Sequence, residues 1–230
     1  MLENKVTFMF LYFLPGSAGN FLSRCIGLCN NVYTFVPKGT TILKHLTVEE
    51  KYDMFSYKTI IDRELSDTHE KDWIVFENKL VPIVDIFSSD ELRDSSNNAV
   101  IIDAGHPNAD YTRYKHNRLS PDDNMHVFLI NISDSFEWMF YNALYKNSGF
   151  VLNYFRDYEI IKNFKNTKQI KLSSITDDTR FIKMYISLCK IIGIKEEDIH
   201  HEFVRRLYTE WQTTILTKKK MLDYNIPQLK

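Results

Sequence analysis

Residues 6–14, VTFMFLYFL, are nine consecutive apolar or aromatic positions broken only by Thr7, and Pro15 and Gly16 close them. The run is too short to cross a bilayer and shows no polar alternation. It predicts a strand buried on both faces, as in a parallel sheet. Shorter apolar runs at 72–77 (DWIVFE), 98–105 (NAVIIDAG), 125–132 (MHVFLINI) and 168–175 (KQIKLSSI) predict four more strands. Between and after them the period changes to that of a helix. Phe136, Met139, Phe140, Ala143 and Leu144 form one stripe over 135–147. Phe181, Tyr185, Leu188, Cys189 and Ile192 form another over 179–194, with Asp177 and Asp178 ahead of it and Gly193 behind it, the order of a helix start and stop. Ile199, Phe203, Leu207, Trp211 and Ile215 mark a last helix over 196–216. Strands alternating with helices predict an α/β fold, a mainly parallel central sheet flanked by helices, with polar connections at 88–98 and 117–124.

Composition narrows this picture. A chain of 230 residues with 44% apolar content supports a single domain over 1–230. Its 29 basic and 30 acidic residues leave a net charge of −1, which supplies no global field for nucleic acid or an anionic membrane, so an anionic ligand must be caught locally. No run is long enough for a membrane span, and residues 6–14 lack the flanks of a signal peptide. Cys25, Cys29 and Cys189 are odd in number and lack paired zinc spacing. Cys25 and Cys29, four apart, share a helix face as small core residues, which fits a reducing cytoplasm and no metal. Adjacent His200 and His201 cannot face one site from a helix.

The chemistry gathers at PGSAGNFLSR, residues 15–24. A buried strand that passes through small residues into a helix leaves backbone amides at the helix start, where the dipole favours an anion. Ser17 and Asn20 offer side-chain donors, Gly19 leaves room for close approach, and Arg24 stands one turn in with a positive charge. The plainer alternative is a tight connection capped by Ser or Asn. The ATP-loop fingerprint fails, because Gly16 and Gly19 are three apart and Asn20 stands where a lysine would be; no GxGxxG is present.

The loop resembles that of the PAPS-dependent sulfotransferase family, whose first strand enters a Pro-x-Ser-Gly-like turn and then a helix; divergent bacterial and phage-type members are the most similar. The segments HVFLINISDSFEWMFYNALYKN and KQIKLSSITDDTRFIKMYISLCKIIGI are similar in layout to the family's later units. The resemblance implies a P-loop-like fold, with Gly16, Ser17, Ala18, Gly19, Asn20 and Phe21 cradling the 5′-phosphosulfate of PAPS. It implies that Ser133, Tyr141 and Asn142 stand near the 3′-phosphate, and that a basic C-terminal segment, Arg205, Arg206, Lys218, Lys219 and Lys220, clamps it. Two family residues are missing. The first-loop lysine is replaced near Gly16, with Arg24 or Lys146 as substitutes, and Asn131, Ser133 and Ser135 occupy the region of the strand-end arginine.

Sulfuryl transfer needs an acceptor hydroxyl, a base and donors for the charge on the leaving phosphate; it needs no metal. His106, in a Gly-His-Pro turn after a strand, is the candidate base, and Asp103, three residues earlier, orients it or replaces it. The 13 Tyr and 16 Phe residues read mostly as core. The expected activity is sulfuryl transfer from PAPS to a hydroxyl, with a carbohydrate acceptor following family habit. The alternatives are a glycosyltransferase or nucleotide-dependent kinase with an atypical phosphate loop, and a non-catalytic nucleotide-binding protein of the same fold.

Overall fold

The computed structural model describes residues 6–14, 17–33, 46–56, 73–76, 79–82, 99–107, 124–132, 148–164 and 167–225. Within them lie β1 (Thr7–Tyr12), α1 (Gly19–Gly27), β2 (Val32–Tyr33), α2 (Val48–Phe55), β3 (Trp73–Phe76) and β4 (Lys79–Pro82). They are followed by β5 (Val100–Gly105), β6 (Asn124–Asn131), α3 (Ser148–Lys162), β7 (Thr167–Lys171), α4 (Leu172–Thr176), α5 (Asp178–Ile191) and α6 (His201–Asn225).

Five strands form one parallel sheet in the order β2-β5-β1-β6-β7. Alternation along β1 divides the core. Met9, Leu11 and Phe13 pack among residues of α1, α2, α5 and α6, whereas Phe8, Phe10 and Tyr12 pack with Tyr158 and Ile161 of α3. The protein is therefore a layered α/β fold with helices on both faces, as the sequence pattern predicts. The chain leaves β1 for the β2 edge, returns to β5 beside β1, and then crosses to β6 on the other side. The carboxyl end of β1 is thus a point where the strand order reverses, the usual place for a ligand in such sheets. At the outer edge, Lys168 and Lys171 of β7 are exposed, which discourages further strand addition.

Several elements differ from the sequence reading. The strand expected at 72–77 does not join the parallel sheet; β3 pairs antiparallel with β4, Phe76 opposite Lys79, because a mate two residues away is reached before any crossover. The strand expected to reach residue 175 stops at Lys171, since Leu172 and Ile175, three apart and both buried, belong to α4. β2 is two residues long and gives no periodic signal. The last helix begins at His201 after a 3-10 turn at Glu196–Asp198 and runs to Asn225; buried Ile199 precedes it. The helix expected at 135–147 and the loop at 88–98 lie outside the described residues, as does 117–123 of the second loop. α5 ends as read: Gly193 takes φ 84°, and the Ile194 amide donates to the Cys189 carbonyl at 2.9 Å.

α1 is held along its length. Phe21 stacks on Trp211 of α6 at 4.3 Å, and Phe181 stacks on Tyr208 at 4.4 Å. Past its far end, buried Lys51 of α2 donates to the Cys29 carbonyl at 2.7 Å. The Asn30 amide donates to the Asp198 carbonyl at 3.1 Å, and the Asn30 side chain meets His200 Nε2 at 3.0 Å. α2 starts in a Thr47–Glu50 capping box and docks on α6 through Tyr52 and Ser56, whose hydroxyls both donate to the Glu210 carboxylate. Among the described residues no helix is long and apolar enough to cross a membrane.

The three cysteines are free and buried around Tyr185, whose hydroxyl donates to the Cys25 carbonyl at 2.9 Å and lies 3.1 Å from Cys29 Sγ. Burial pushes the Cys25 thiol up, and the hydrogen bond to Cys29 together with burial raises Cys189. Ellman's reagent is expected to titrate no thiol in the folded protein and all three after denaturation; fast native reaction would refute this packing.

Tyr208 is pushed up to about 12 by burial and the nearby Asp178 and Asp177 charges, and Tyr52 to about 12 by burial and Glu210. Unfolding returns both to the usual value near 10, so their stabilising contribution is complete below about pH 10 and lost as pH rises towards 12. The melting temperature should fall across that window, and by less in Tyr208→Phe than in wild type. Equal falls in both proteins would remove Tyr208 from the account.

Candidate functional site

The site forms where β1 ends. In register, Tyr12 lies beside Gly105 of β5 and Leu129 of β6. One residue on, the Phe13 amide donates to the Gly105 carbonyl at 3.1 Å, which brings His106 alongside β1. The chain then reverses. Ser17, 1% exposed, donates to the Leu14 carbonyl through both its amide, at 3.1 Å, and its hydroxyl, at 2.6 Å. Ala18 follows in the left-handed region, φ 62° and ψ 15°, and is the N-cap of α1 with no side-chain cap.

The plainer reading, a connection capped by Ser or Asn, does not hold. Neither Ser17 nor Asn20 caps α1: the serine hydroxyl proton is committed to Leu14, and Asn20 is the second helical residue. Among the described residues, no hydrogen bond takes up the amides of Ala18, Gly19, Asn20 or Phe21; the first bond of the helix is from the Leu22 amide to the Ala18 carbonyl, at 3.0 Å. A helix of nine residues whose N-terminus lacks a side-chain cap thus begins at the carboxyl edge of the central strand. The expectation that Ser17 donates its hydroxyl to a ligand is corrected. So is the role of Gly19. Its backbone is not left-handed, and a methyl built on it would fall inside the Phe13 ring. Gly19 is needed by the packing of Phe13.

His106 is held by Phe13. Its Nδ1 lies 3.0 Å from the Phe13 carbonyl, and the two rings meet edge to face at 5.4 Å. A carbonyl only accepts, so Nδ1 carries the proton and donates it, which leaves Nε2 as the basic nitrogen of the neutral ring. The expectation that Asp103 orients His106 is corrected: the orienting group on Nδ1 is the Phe13 carbonyl. Asp103 pairs with Phe10, is 3% exposed, and lies on the pleat face of Ile101, which packs towards α3.

Arg24 is on α1, 9% exposed and about 8 Å along the axis from Gly19. At the carboxyl end of β6, Asn131 is fixed between Gln169 Oε1, to which it donates at 2.6 Å, and the Tyr158 hydroxyl, which donates to it at 3.3 Å. Of the expected C-terminal cations, Arg206 stacks on the Tyr52 ring at 4.4 Å and serves the α2–α6 junction. Lys219 lies on the last turns of α6. α6 starts beside Asn30 and reaches Phe21 at Trp211, so it runs antiparallel to α1 and continues past the α1 start. Lys219 is eight residues, about 12 Å of helix, beyond Trp211 in that direction. Gly16, Ser133, Tyr141 and Asn142 lie outside the described residues. Phe13, Tyr158 and Gln169 were not among the residues the sequence singles out; Phe13 reads as the tail of an apolar run. Among the described residues no three His, Cys, Asp or Glu side chains gather as a metal would require.

No known protein-family profile matches the chain, and no curated protein matches it. Among solved structures it is similar to a fungal RNA kinase, with a TM-score of 0.42 and 8% identity over 91% of this chain and 97% of that one.

Ala18 is the strained residue of the turn. Left-handed backbone costs a residue with Cβ about 1–2 kcal/mol, so Ala18→Gly should stabilise by up to about 1 kcal/mol after chain entropy is counted, and Ala18→Val should destabilise. Denaturant midpoints check this; a glycine variant less stable than the valine variant would show that the turn has another conformation.

Proposed function

We propose that this chain is a nucleotide-dependent group transferase that seats the anionic end of its donor on the first amides of α1. The uncapped N-terminus of α1 at the carboxyl end of β1, where the strand order reverses, is the observation that carries the reading. Amides fixed in a helix do not reorganise as charge develops, which is the condition for effective stabilisation of a leaving phosphate. His106, with Nδ1 committed to Phe13, offers Nε2 to an acceptor hydroxyl.

Within that class we favour sulfuryl transfer from PAPS, with a carbohydrate hydroxyl as acceptor. Residues 15–24 contain no lysine and one arginine, which suits an anion held by amides and a guanidinium without a phosphate-bridging metal. In the proposed reaction the acceptor oxygen attacks sulfur as Nε2 takes its proton, and the bond from sulfur to the phosphate oxygen breaks. The electron pair leaves on 3′,5′-ADP, whose phosphate faces the α1 amides.

Calorimetry against 3′,5′-ADP, PAPS, UDP-sugars, and ATP with and without magnesium tests this. Binding of 3′,5′-ADP and PAPS, weakened by salt and indifferent to EDTA, is expected, with ATP and UDP-sugars much weaker. In a coupled assay His106→Ala should lower turnover about a hundredfold or more with donor affinity unchanged. Binding of magnesium-ATP alone would make the chain a nucleotide-dependent kinase, and binding of a UDP-sugar alone a glycosyltransferase. 3′,5′-ADP binding with full activity in His106→Ala would remove the base.

A further inference from the structure

Among the described residues, the Phe13 side chain touches both halves of the site. Its ring occupies the space a side chain at residue 19 would need, and the same ring meets the His106 imidazole edge to face. Its main chain is used at both ends, accepting from His106 Nδ1 and donating to the Gly105 carbonyl. The residue is 4% exposed and lies on the α1 side of the sheet. A core phenylalanine needs only apolar neighbours; this one has a backbone glycine on one side and a polar ring on the other.

We propose that Phe13 is the positioning residue that sets His106 relative to the anion turn. The carbonyl selects the Nδ1–H tautomer, and the ring, wedged between Gly19 and the imidazole, fixes the ring plane and the spacing of Nε2 from the α1 amides. The catalytic meaning of this spacing rests on the transferase reading, whereas the contacts themselves do not. Any enlargement at residue 19 must move the Phe13 ring, and through it His106. The anion turn and the base are thereby mechanically linked, although 93 positions separate His106 from Phe13 in sequence.

The test uses the ligand-free, full-length protein, so that its failure is separable from failure of the transferase reading. Long-range ¹H–¹⁵N NMR of the His106 ring should show the Nδ1–H tautomer in wild type above the imidazole titration. Phe13→Leu keeps apolar volume and removes the ring edge; it should lower the ratio of Nδ1–H to Nε2–H tautomer by about twofold to tenfold, the range expected for loss of one aromatic pair. Phe13→Met serves the same purpose if the leucine variant does not fold, and Phe13→Tyr, which keeps the ring, should restore the wild-type ratio. Gly19→Ala should lower the melting temperature, and Gly19→Ala/Phe13→Leu should melt higher than the two single losses predict, because the leucine opens the space the methyl needs. An Nε2–H tautomer in wild type, an unchanged ratio in Phe13→Leu, or strict additivity of the pair would each overturn the proposal. Absence of binding to 3′,5′-ADP, PAPS, ATP and UDP-sugars alike would sink the transferase reading and leave these results standing.

Discussion

The carboxyl edge of this protein depends on one contact, the Phe13 ring closing over a glycine. β1 is buried on both faces, and its odd-numbered side chains face α1. The next residue on that face is Phe13, so an aromatic ring necessarily projects into the angle between strand and helix. α1 packs close only if the helical residue opposite has no side chain, and Gly19 meets that need. With the helix start fixed there, the turn has little length in which to reverse. The two hydrogen bonds that Ser17 donates to the Leu14 carbonyl and the left-handed Ala18 are the means by which it does so. The strained residue and the missing cap follow from the packing of a phenylalanine.

The same helix is anchored at its other end by different forces. After α1 the Cys29 carbonyl is met by the buried Lys51 ammonium, and Asn30 bonds to Asp198 and His200. Burial lowers the Lys51 pKa while the nearby Cys29 opposes that shift, as expected of a cation used to satisfy a carbonyl beyond a helix end. Between the two ends, Phe21 of α1 stacks on Trp211, which adds about 0.5–1.5 kcal/mol beyond the buried area, and also meets Phe181 and Tyr208. A helix fixed at both termini and along one side presents its first amides with little freedom. Such rigidity is what the proposed function would require of amides that receive an anion.

Much of this was legible in the residues because it depends on period. The nine-residue apolar run, the stripe of Phe181, Tyr185, Leu188 and Cys189, and the stop at Gly193 each report a local rule, and each element is present. What escaped depends on partners far along the chain. Residues 73–76 read as a strand correctly, but which strand they join is decided by β4 two residues later. Residues 172–175 read as the end of a strand, whereas Leu172 and Ile175, three apart, bury one face of a short helix. At the site, the position of the turn and of His106 was visible, because Pro, Gly and small residues mark it. The roles within it were not. Gly19 looked like room for a ligand until Phe13 was found in that room, and Asp103 looked like the partner of His106 until a backbone carbonyl was found on Nδ1.

The absence of a lysine from the turn sets an electrostatic requirement on the rest of the edge. A helix N-terminus is equivalent to roughly half a positive charge, and a phosphate or phosphosulfate group brings more negative charge than that. Arg24 lies inside the packed α1 layer at 9% exposure, where a charge is screened less than in water. Under the proposed function further positive charge would come from an element that reaches the same edge, and α6 runs towards it. Because α6 runs antiparallel to α1 and passes it at Trp211, its remaining turns, with Lys218, Lys219 and Lys220 in their sequence, lie towards the carboxyl end of the sheet; an α6 of opposite direction would carry the same lysines to the far side. Helix polarity, fixed by aromatic packing well away from the sheet edge, therefore decides at which end of the sheet the last turns of α6 stand.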